Sequence, residues 1–345
     1  MKIFLQYSLF ISFLSGAGLV TQAQQDINFS QFYELPLLRN PALAGIFKGN
    51  VRYTAAYRNQ WQSVTVPYRS MALGAEFKFP IGLTGGDFIT AGFQVTNDVA
   101  GDSKLKRTQF FPVLNYHKLL NAETNTYLSA AFMGGMVNEN FDASKLKFDD
   151  QFVNGAYSES NPTSQTFSKT SFTYWDASTG LSFSTKLNDN LKFYVGAALF
   201  HFTKPTLSFI IDNNIQLNRK YVFNAGFSTF TNEFDNLVIY ADYFMQGANR
   251  LAQGGLLLTH NFDALGDDAR LSITGGMVYR WKDAMVPIVK LNKDDLSIGM
   301  SYDVNISKLS IASSYRGGFE LTLTYRDLWN KSNNETNKVK CPVIW

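Results

Sequence analysis

The chain alternates apolar and polar residues in short segments from about residue 51 to residue 327. In the last segment the apolar residues Phe319, Leu321, Leu323 and Tyr325 alternate with Glu320, Thr322, Thr324 and Arg326. A period of two places alternate side chains on opposite faces of a strand, whereas a helix repeats every 3.6 residues. The pattern predicts an all-β fold of about fourteen antiparallel strands in one sheet. We place them near 51–58, 67–79, 87–97, 106–119, 125–138, 172–187, 190–203, 219–231, 236–246, 249–261, 269–281, 284–292, 294–303 and 318–327.

The first 23 residues predict a secretory signal peptide. Lys2 supplies the charged start, residues 7–20 are mostly apolar, and Thr21-Gln22-Ala23 has the small residues that favour cleavage after Ala23. An uncleaved membrane anchor is disfavoured because the apolar stretch is short and contains Ser and Gly. No later stretch has the ~20 apolar residues of a membrane-spanning helix. We therefore expect an exported chain.

Composition indicates which solvent the sheet faces. Aromatic residues make up 15% of the chain and charged residues 17%, against about 25% charged in a soluble domain. The formal net charge is +3, or +2 without Lys2, which gives no argument for nucleic-acid binding. Many aromatic residues, few charges and no membrane helix predict a transmembrane outer-membrane β-barrel with lipid around it. Cys341 is the only cysteine, so the chain has no internal disulfide.

Loop lengths give a second indication of a barrel. Long connections near 139–171, 204–218 and 305–317 tend to alternate with tight turns, although the connections near 246–248 and 281–283 on the same side are short. Because outer-membrane barrels have short periplasmic turns and long extracellular loops, both termini are predicted in the periplasm. The domain prediction is a signal peptide (1–23), a plug-like segment (24–50), the barrel (51–327) and a periplasmic tail (328–345). Five aromatic residues of the first long loop are candidate partner-binding residues: Phe141, Phe148, Phe152, Tyr157 and Phe167.

Inward-facing positions of the predicted strands are small or charged. The small ones are Gly74, Gly92, Gly226, Gly276 and Gly299, and the charged ones are Arg52, Arg58, Glu76, Lys78, Arg280, Asp303, Glu320 and Arg326. Such a lumen has room for water, a plug or an inserted peptide, although glycines also ease barrel curvature. The first and last strands must pair, because an open edge cannot face lipid. Strand parity then predicts that Arg58 and Glu320 lie close across this seam.

No catalytic or metal-binding motif stands out. The three histidines lie on separate predicted strands, and the chain has no G-x-S-x-G, H-E-x-x-H or phosphate-loop sequence. Asp149 and Asp150 could bind calcium, but no repeated spacing of oxygen ligands surrounds them. We therefore expect a non-enzymatic protein without a cofactor or metal.

Several short motifs occur in a characteristic order. They are Phe29-Ser30-Gln31-Phe32-Tyr33, then Asn40-Pro41-Ala42-Leu43-Ala44-Gly45, then Tyr57-Arg58-Asn59-Gln60-Trp61, and finally Lys340-Cys341-Pro342. Together they resemble the PorP/SprF family of type IX secretion outer-membrane proteins of the Bacteroidetes group. The final Val343-Ile344-Trp345 departs from the Arg-Phe ending often seen there. The resemblance implies a role in secretion and gliding motility, with a large surface adhesin and type IX secretion components as partners.

A transport barrel for small hydrophobic molecules is the alternative. Long-chain fatty-acid transporters have fourteen strands and an N-terminal plug with an Asn-Pro-Ala sequence, which Asn40-Pro41-Ala42 resembles. The lumen discriminates, because a transporter of apolar solutes needs a continuous apolar pocket. In either case Phe29, Phe32 and Tyr33 lie outside any predicted strand and are expected to fill the lumen or its periplasmic mouth. An outer-membrane enzyme is a third, weaker hypothesis.

Overall fold

The computed structural model describes residues 26–62, 66–81, 86–188, 190–209, 215–262, 270–308 and 310–327, so the predicted signal peptide, the tail and Cys341 lie outside the described residues. Fourteen antiparallel strands close into a barrel, which confirms the predicted fold. They are β1 (Val51–Gln60), β2 (Tyr68–Pro80), β3 (Phe88–Ala100), β4 (Leu105–Asn121), β5 (Thr126–Asn140), β8 (Ser171–Lys186), β9 (Leu191–Phe200), β10 (Lys220–Phe230), β11 (Asp235–Gln246), β12 (Asn249–Asn261), β13 (Leu271–Arg280), β14 (Ala284–Lys293), β15 (Leu296–Asn305) and β16 (Arg316–Asp327). Two further strands, β6 (Phe152–Val153) and β7 (Ala156–Tyr157), form a separate hairpin between β5 and β8.

The barrel closes where the first strand meets the last. β1 pairs with β2 on one side and with β16 on the other, in a register that runs from Val51 opposite Asp327 to Gln60 opposite Gly318. This closure leaves no unpaired strand edge for lipid to meet, which is the requirement for a sheet in a membrane.

The two faces of the wall have opposite character. Large apolar side chains cover the outside; Leu73 and Phe132 are each 56% exposed. The polar residues that alternate with them point inward and are buried, as the period of two requires. Tyr53 stacks on Tyr325 across the seam, with ring centroids 6.4 Å apart, near one rim of the barrel. Outward aromatic residues near a rim are typical of barrels whose rims meet the lipid head groups.

Long and short connections lie at opposite rims. The loops 141–170, 201–219 and 306–315 share one rim, called here the long-loop rim. The turns 122–125, 187–190, 231–234 and 294–295 lie at the other, the tight-turn rim. The separation is a bias rather than a rule, because the connection 262–270 at the tight-turn rim is longer.

Residues 26–50, called here the plug, run lengthwise through the barrel. They contain three single helical turns, Phe32–Glu34, Pro36–Arg39 and Pro41–Leu43, and all residues from Phe29 to Phe47 except Leu38 are buried. The other described helices are also single turns: Ala143–Lys145, Asp149–Gln151 and Ser310–Ser313. Among the described residues, no helix has the length and apolar character needed to cross a membrane.

The described chain begins and ends at opposite rims. Asp26 lies beside Gln246, the last residue of β11, at the long-loop rim. Asn50 donates its backbone N–H to the Asp327 carbonyl (2.8 Å) at the tight-turn rim. The plug thus spans the whole lumen before β1 begins. Both termini lie outside the described residues, so their placement in the periplasm stays a prediction.

Candidate functional site: the plugged lumen and its vestibule

Asn40 fixes the middle of the plug. Its side-chain oxygen accepts the backbone N–H of Ala42 (2.9 Å), which caps the turn that Pro41 begins. Its amide nitrogen donates to the Leu181 carbonyl (3.0 Å) and to the Asn224 side chain (3.1 Å) of the wall. Asn-Pro is therefore more than a turn signal here, because the same side chain caps a helical turn and binds the barrel.

Two wall glycines make room for this side chain. A Cβ atom on Gly180 would lie 1.9 Å from Asn40 Oδ1, and one on Gly196 would lie 2.7 Å from Asn40 Nδ2. Neither position was predicted from the sequence to face the plug. Of the five inward glycines that were predicted, Gly299 faces the plug, where an added Cβ would lie 2.3 Å from the Gln31 side chain.

Arg39 forms a buried ion pair between plug and wall. Its Nε and Nη2 donate to the two carboxylate oxygens of Asp242 on β11, at 2.8 and 2.6 Å. Nη2 also donates to the Tyr194 hydroxyl (2.8 Å), and the guanidinium lies 4.9 Å from the Phe32 ring centre. The side chains of Arg39 and Asp242 are 2% and 0% exposed. A two-pronged guanidinium–carboxylate contact fixes orientation as well as distance, so it holds the plug in one position.

Glu320 binds the backbone of the plug. Its two carboxylate oxygens accept the N–H groups of Ser30 and Gln31, each at 2.7 Å. Arg58 lies opposite Glu320 in the β1–β16 register, and their charged atoms are 3.9 Å apart. The closer partner of Arg58 is Asp303, at 2.6 Å. The two seam residues are therefore neighbours, but each is mainly engaged elsewhere.

The inward charges serve the plug as a group. Glu34 of the plug accepts from Lys290 (2.5 Å) and Thr324 (2.8 Å), and Glu76 of the wall accepts the Gly45 N–H (2.9 Å). All eight charged residues that sequence analysis placed in the lumen contact the plug: Arg52, Arg58, Glu76, Lys78, Arg280, Asp303, Glu320 and Arg326. The charged lumen is thus a binding surface for residues 26–50.

Aromatic residues of the plug complete the fit. Tyr33 stacks on Tyr240 of β11 with ring centroids 5.2 Å apart, and Phe32 meets the same ring edge-on at 6.1 Å. Phe29 packs in a separate cluster with Ala56 and Ala72 of β1 and β2. These residues lie buried inside the barrel, where the sequence predicted them.

A comparison with known protein families identifies the family of the chain. Residues 21–325 match the family described as type IX secretion system membrane protein PorP/SprF. The chain belongs to the PorP/SprF family. The family and the barrel fold together make it an outer-membrane protein of the type IX secretion system. No curated protein sequence matches the chain.

Solved structures share only the general architecture. The Ralstonia pickettii toluene transporter TbuX is 10% identical, with 84% of this chain and 92% of that chain covered and a TM-score of 0.49. A Pseudomonas aeruginosa FadL homologue is 12% identical, with 83% and 92% covered and a TM-score of 0.48. Similarity this low carries no information about what the PorP/SprF barrel binds.

Asp26 ends the described plug in a ring of cations, called here the Asp26 cradle. Its carboxylate lies 3.3 Å from Arg107 of β4, 2.8 Å from His201 of the β9–β10 loop and 3.3 Å from Lys220 of β10. Burial alone would raise the pKa of Asp26, but the three cations outweigh it and hold this pKa well below its usual range. Asp26 is therefore ionised at neutral pH.

A vestibule lies directly above the cradle. It has a volume of about 890 Å³, and the first plug residues form its floor. Trp61 and Tyr68 line it at the end of the barrel seam, and Arg107 and Glu139 line it beside Asp26. Its position places the open space of the PorP/SprF barrel at the long-loop rim.

The long loops pack on one another through aromatic residues. Phe141 contacts Phe167 and Phe209, with ring centroids 4.9 and 4.7 Å apart, and Phe148 lies 6.3 Å from Phe167. Two of the five predicted partner-binding residues, Phe141 and Phe148, are thus half-buried inside the loop cluster. Aromatic residues outside the strands pointed to binding, but the sequence does not show that a second loop packs on them.

The β6–β7 hairpin forms one exposed apolar surface of this region, and Ile311 and Tyr315 of the loop 306–315 are exposed on the same rim. Phe152 is 56% exposed and Val153 is 50% exposed, with the Phe152 ring 5.5 Å from that of Tyr157. Phe167 is 37% exposed nearby in the same loop. Of the predicted residues, Phe152 and Phe167 are therefore exposed, Tyr157 is half-buried against Phe152, and Val153 joins the exposed surface.

The histidines occupy three unrelated environments. His117 is enclosed in the wall, 2.7 Å from the Ser129 hydroxyl and 3.1 Å from that of Thr90, and it stacks on Phe88 at 3.9 Å. His260 pairs with Asp235 (2.7 Å) on the exposed tight-turn rim. Both the His117 and the Ser129 side chains are buried. Within the described ranges, no group of three or more His, Cys, Asp or Glu side chains is placed to hold a metal ion.

Proposed function

We propose that this barrel supports the secretion, or the retention at the cell surface, of a large secreted protein that binds to its long-loop rim. The observation that carries the proposal is the plug. Residues 29–47 fill the lumen and bond to the wall along its length, so the barrel is closed to solutes in this state. The long-loop rim offers the vestibule and the exposed hairpin as binding surfaces.

The proposal places the long-loop rim outside the cell. Membership in the PorP/SprF family supports a partner exported by the type IX system, and such a partner emerges on the outer side. Long loops on a rigid scaffold commonly carry binding sites, and an apolar hairpin tip in water costs free energy unless something covers it. A large adhesin is the partner we expect, with gliding motility as the cellular role. No catalytic step is part of the proposal.

One observation favours the alternative of a transporter for small hydrophobic molecules. A cavity between the plug and strands β10–β12 is lined mainly by apolar side chains, among them Phe29, Leu35, Phe244 and Leu251. Its volume is about 50 Å³. A dry cavity that binds benzene in a soluble protein measures about 150 Å³, so this one holds a few water-sized molecules unless the plug moves. Unchanged uptake of small hydrophobic molecules, long-chain fatty acids among them, after deletion of the gene would remove the alternative.

The test of the proposed function is a surface comparison. Strains lacking the gene are complemented with the wild-type chain or with the double variant Phe152→Ser/Val153→Ser, at equal barrel abundance. We expect one large secreted protein to leave the cell surface in the deletion strain, to return with the wild-type chain and to return only in part with the variant. The control is Phe234→Ser, which removes an equally apolar side chain from the tight-turn rim, where Phe234 is 41% exposed. An unchanged set of surface proteins after deletion would refute the proposal.

A further inference from the structure

The Asp26 cradle has the chemistry of a carboxylate-binding site. Three cations from three different parts of the wall converge on the single carboxylate of Asp26, at 2.8 to 3.3 Å. The plug supplies this carboxylate, and the wall supplies the cations. Because the plug is a separate segment that enters the barrel, the carboxylate can in principle leave while the cations remain.

Two of the three cations also pair with carboxylates of the wall. Both ring nitrogens of His201 face carboxylates, Nε2 facing Asp26 at 2.8 Å and Nδ1 facing Asp176 of β8 at 2.5 Å. Each of these contacts needs an N–H, so the imidazole carries both protons and a positive charge. Arg107 has a second carboxylate partner in Glu139 of β5, at 3.4 Å, and lies opposite Asp98 of β3 in the strand register.

Among the residues that the structure describes, Lys220 depends on the plug more than the other two cations do. Apart from Asp26, its ammonium group lies over the rings of Phe200 and Phe244, 5.1 Å from each centroid. The side chain is 10% exposed. An ammonium group this buried is stabilised by an anion and loses free energy when that anion departs. The empty cradle would therefore attract another carboxylate.

The cradle is reachable from the long-loop rim. Asp26 and Arg107 both line the vestibule, and the Asp26 side chain is 14% exposed there. A volume of about 890 Å³ lies within the ~300–1,000 Å³ range of ordinary ligand pockets. A peptide segment entering from the loop side would therefore meet the Asp26 carboxylate and Arg107 at the vestibule wall, next to Ile27 and Asn28 of the plug.

We propose that the Asp26 cradle is a binding site for a carboxylate of the partner protein, and that Asp26 is its resting occupant. An acidic side chain or a C-terminal carboxylate that enters the vestibule takes the place of Asp26 on Lys220, His201 and Arg107. The exchange frees the described start of the plug from the rim. This step rests on the proposed function for the identity of the partner, but the site itself can be tested on the purified barrel.

The groups around the Asp26 cradle set the pH range over which it binds a carboxylate. Burial would lower the pKa of His201, but the Asp26 and Asp176 carboxylates outweigh it and raise this pKa to about 9. The folded-state pKa of His201 thus lies above its usual value of about 6.5. The ion pairs of His201 therefore stabilise the folded barrel fully when the pH is below the usual pKa of histidine. This stabilisation is lost as the pH rises through about 9. Carboxylate binding should therefore weaken over the same upper range and hold at neutral pH.

The experiment measures triglutamate binding to the folded barrel by titration calorimetry, with triglutamine amide as the uncharged probe. Asp26→Asn removes the internal competitor, so we expect it to bind triglutamate at least tenfold more tightly than the wild-type chain. Adding Lys220→Met to Asp26→Asn should abolish this gain. Asp102→Asn, which removes an exposed acid from the β3–β4 turn on the same rim, is the matched control and should bind as the wild type does.

Two outcomes would overturn the site. One is equal triglutamate affinity in the Asp26→Asn and wild-type barrels, and the other is equal binding of the charged and uncharged probes. A heat-modifiable band on gels establishes that each variant is folded. If triglutamate binds as expected while deletion of the gene leaves the surface proteins unchanged, the carboxylate site stands and the proposed function fails.

Discussion

Removing Asp242 should release the plug. Asp242→Leu deletes the carboxylate that Arg39 contacts through two nitrogens, in a place where both side chains are at most 2% exposed. Breaking a buried ion pair by removing one partner costs about 3–5 kcal/mol, because the other charge stays buried and unpaired. Arg39 belongs to the plug and Asp242 to the wall, so the pair exists only in the docked state. The whole cost therefore falls on docking.

The magnitude makes the effect measurable. Each 1.4 kcal/mol changes an equilibrium constant about tenfold, so the docked population should fall relative to the undocked one by a factor on the order of 100 to 5,000. Single-channel recordings in planar bilayers report this change as more frequent large-conductance openings. The double variant Arg39→Leu/Asp242→Leu removes both charges and should return the opening frequency most of the way to the wild-type value.

The control is an ion pair of similar length at the surface. Lys118 and Asp87 are 2.9 Å apart at the tight-turn rim, and Lys118 is 55% exposed. Lys118→Met should change the opening frequency little, because exposed pairs contribute about 0–1 kcal/mol. The reasoning is refuted if Asp242→Leu opens no more often than Lys118→Met, or if the double variant opens as often as the single one.

Three further predictions follow from the same contacts. The single reversal Arg58→Glu should lower the heat resistance of the folded band on gels, and adding Glu320→Arg should fail to restore it. The reason is that a guanidinium at position 320 cannot accept the two plug N–H groups that Glu320 now accepts. Gly180→Ala should cost docking about 1–3 kcal/mol by overpacking against Asn40, seen as more frequent bilayer openings, whereas equal openings would show that the wall yields. Phe152→Ser should leave the free energy of unfolding, measured by thermal unfolding, within about 0.5 kcal/mol of the wild-type value. A larger loss would mean that the hairpin is part of the folded core.

The strands were predictable because lipid and plug impose opposite demands on alternate residues. Leu321 and Leu323 meet lipid, whereas Glu320 and Thr322 meet the plug, and this contrast produces the period of two. The interior position of the plug followed from a similar argument. Aromatic residues such as Phe32 lie outside any strand and have no other place to avoid water.

The partners within the lumen were not predictable. Arg39 and Asp242 are 203 residues apart in the chain, and Asp26 and His201 are 175 apart. Strand parity predicts which side chains point inward. It does not predict the position along the barrel axis at which a plug residue meets each of them. The seam pair shows the same limit, because parity placed Arg58 beside Glu320 without showing that Asp303 is closer to Arg58.

The orientation of the plug was also beyond sequence reasoning. Predicted strand directions place the start of β1 at the tight-turn rim, and the simplest path for residues before it would stay on that side. The plug instead spans the lumen, because the lumenal charges bind it along its whole length, from Glu76 near one rim to Arg107 near the other. That the described plug begins at the long-loop rim is therefore a finding of the structure.

The most direct test of the account is a crosslink formed in living cells. A photoreactive phenylalanine replaces Phe152 on the hairpin of the long-loop rim or, in a matched strain, Phe234 on the tight-turn rim; these side chains are 56% and 41% exposed. If the long-loop rim holds the secreted partner, the probe at Phe152 should join the barrel to the same large protein whose surface retention depends on the gene, and the probe at Phe234 should not. A crosslink to that protein from Phe234 alone, or from neither position, would contradict the account.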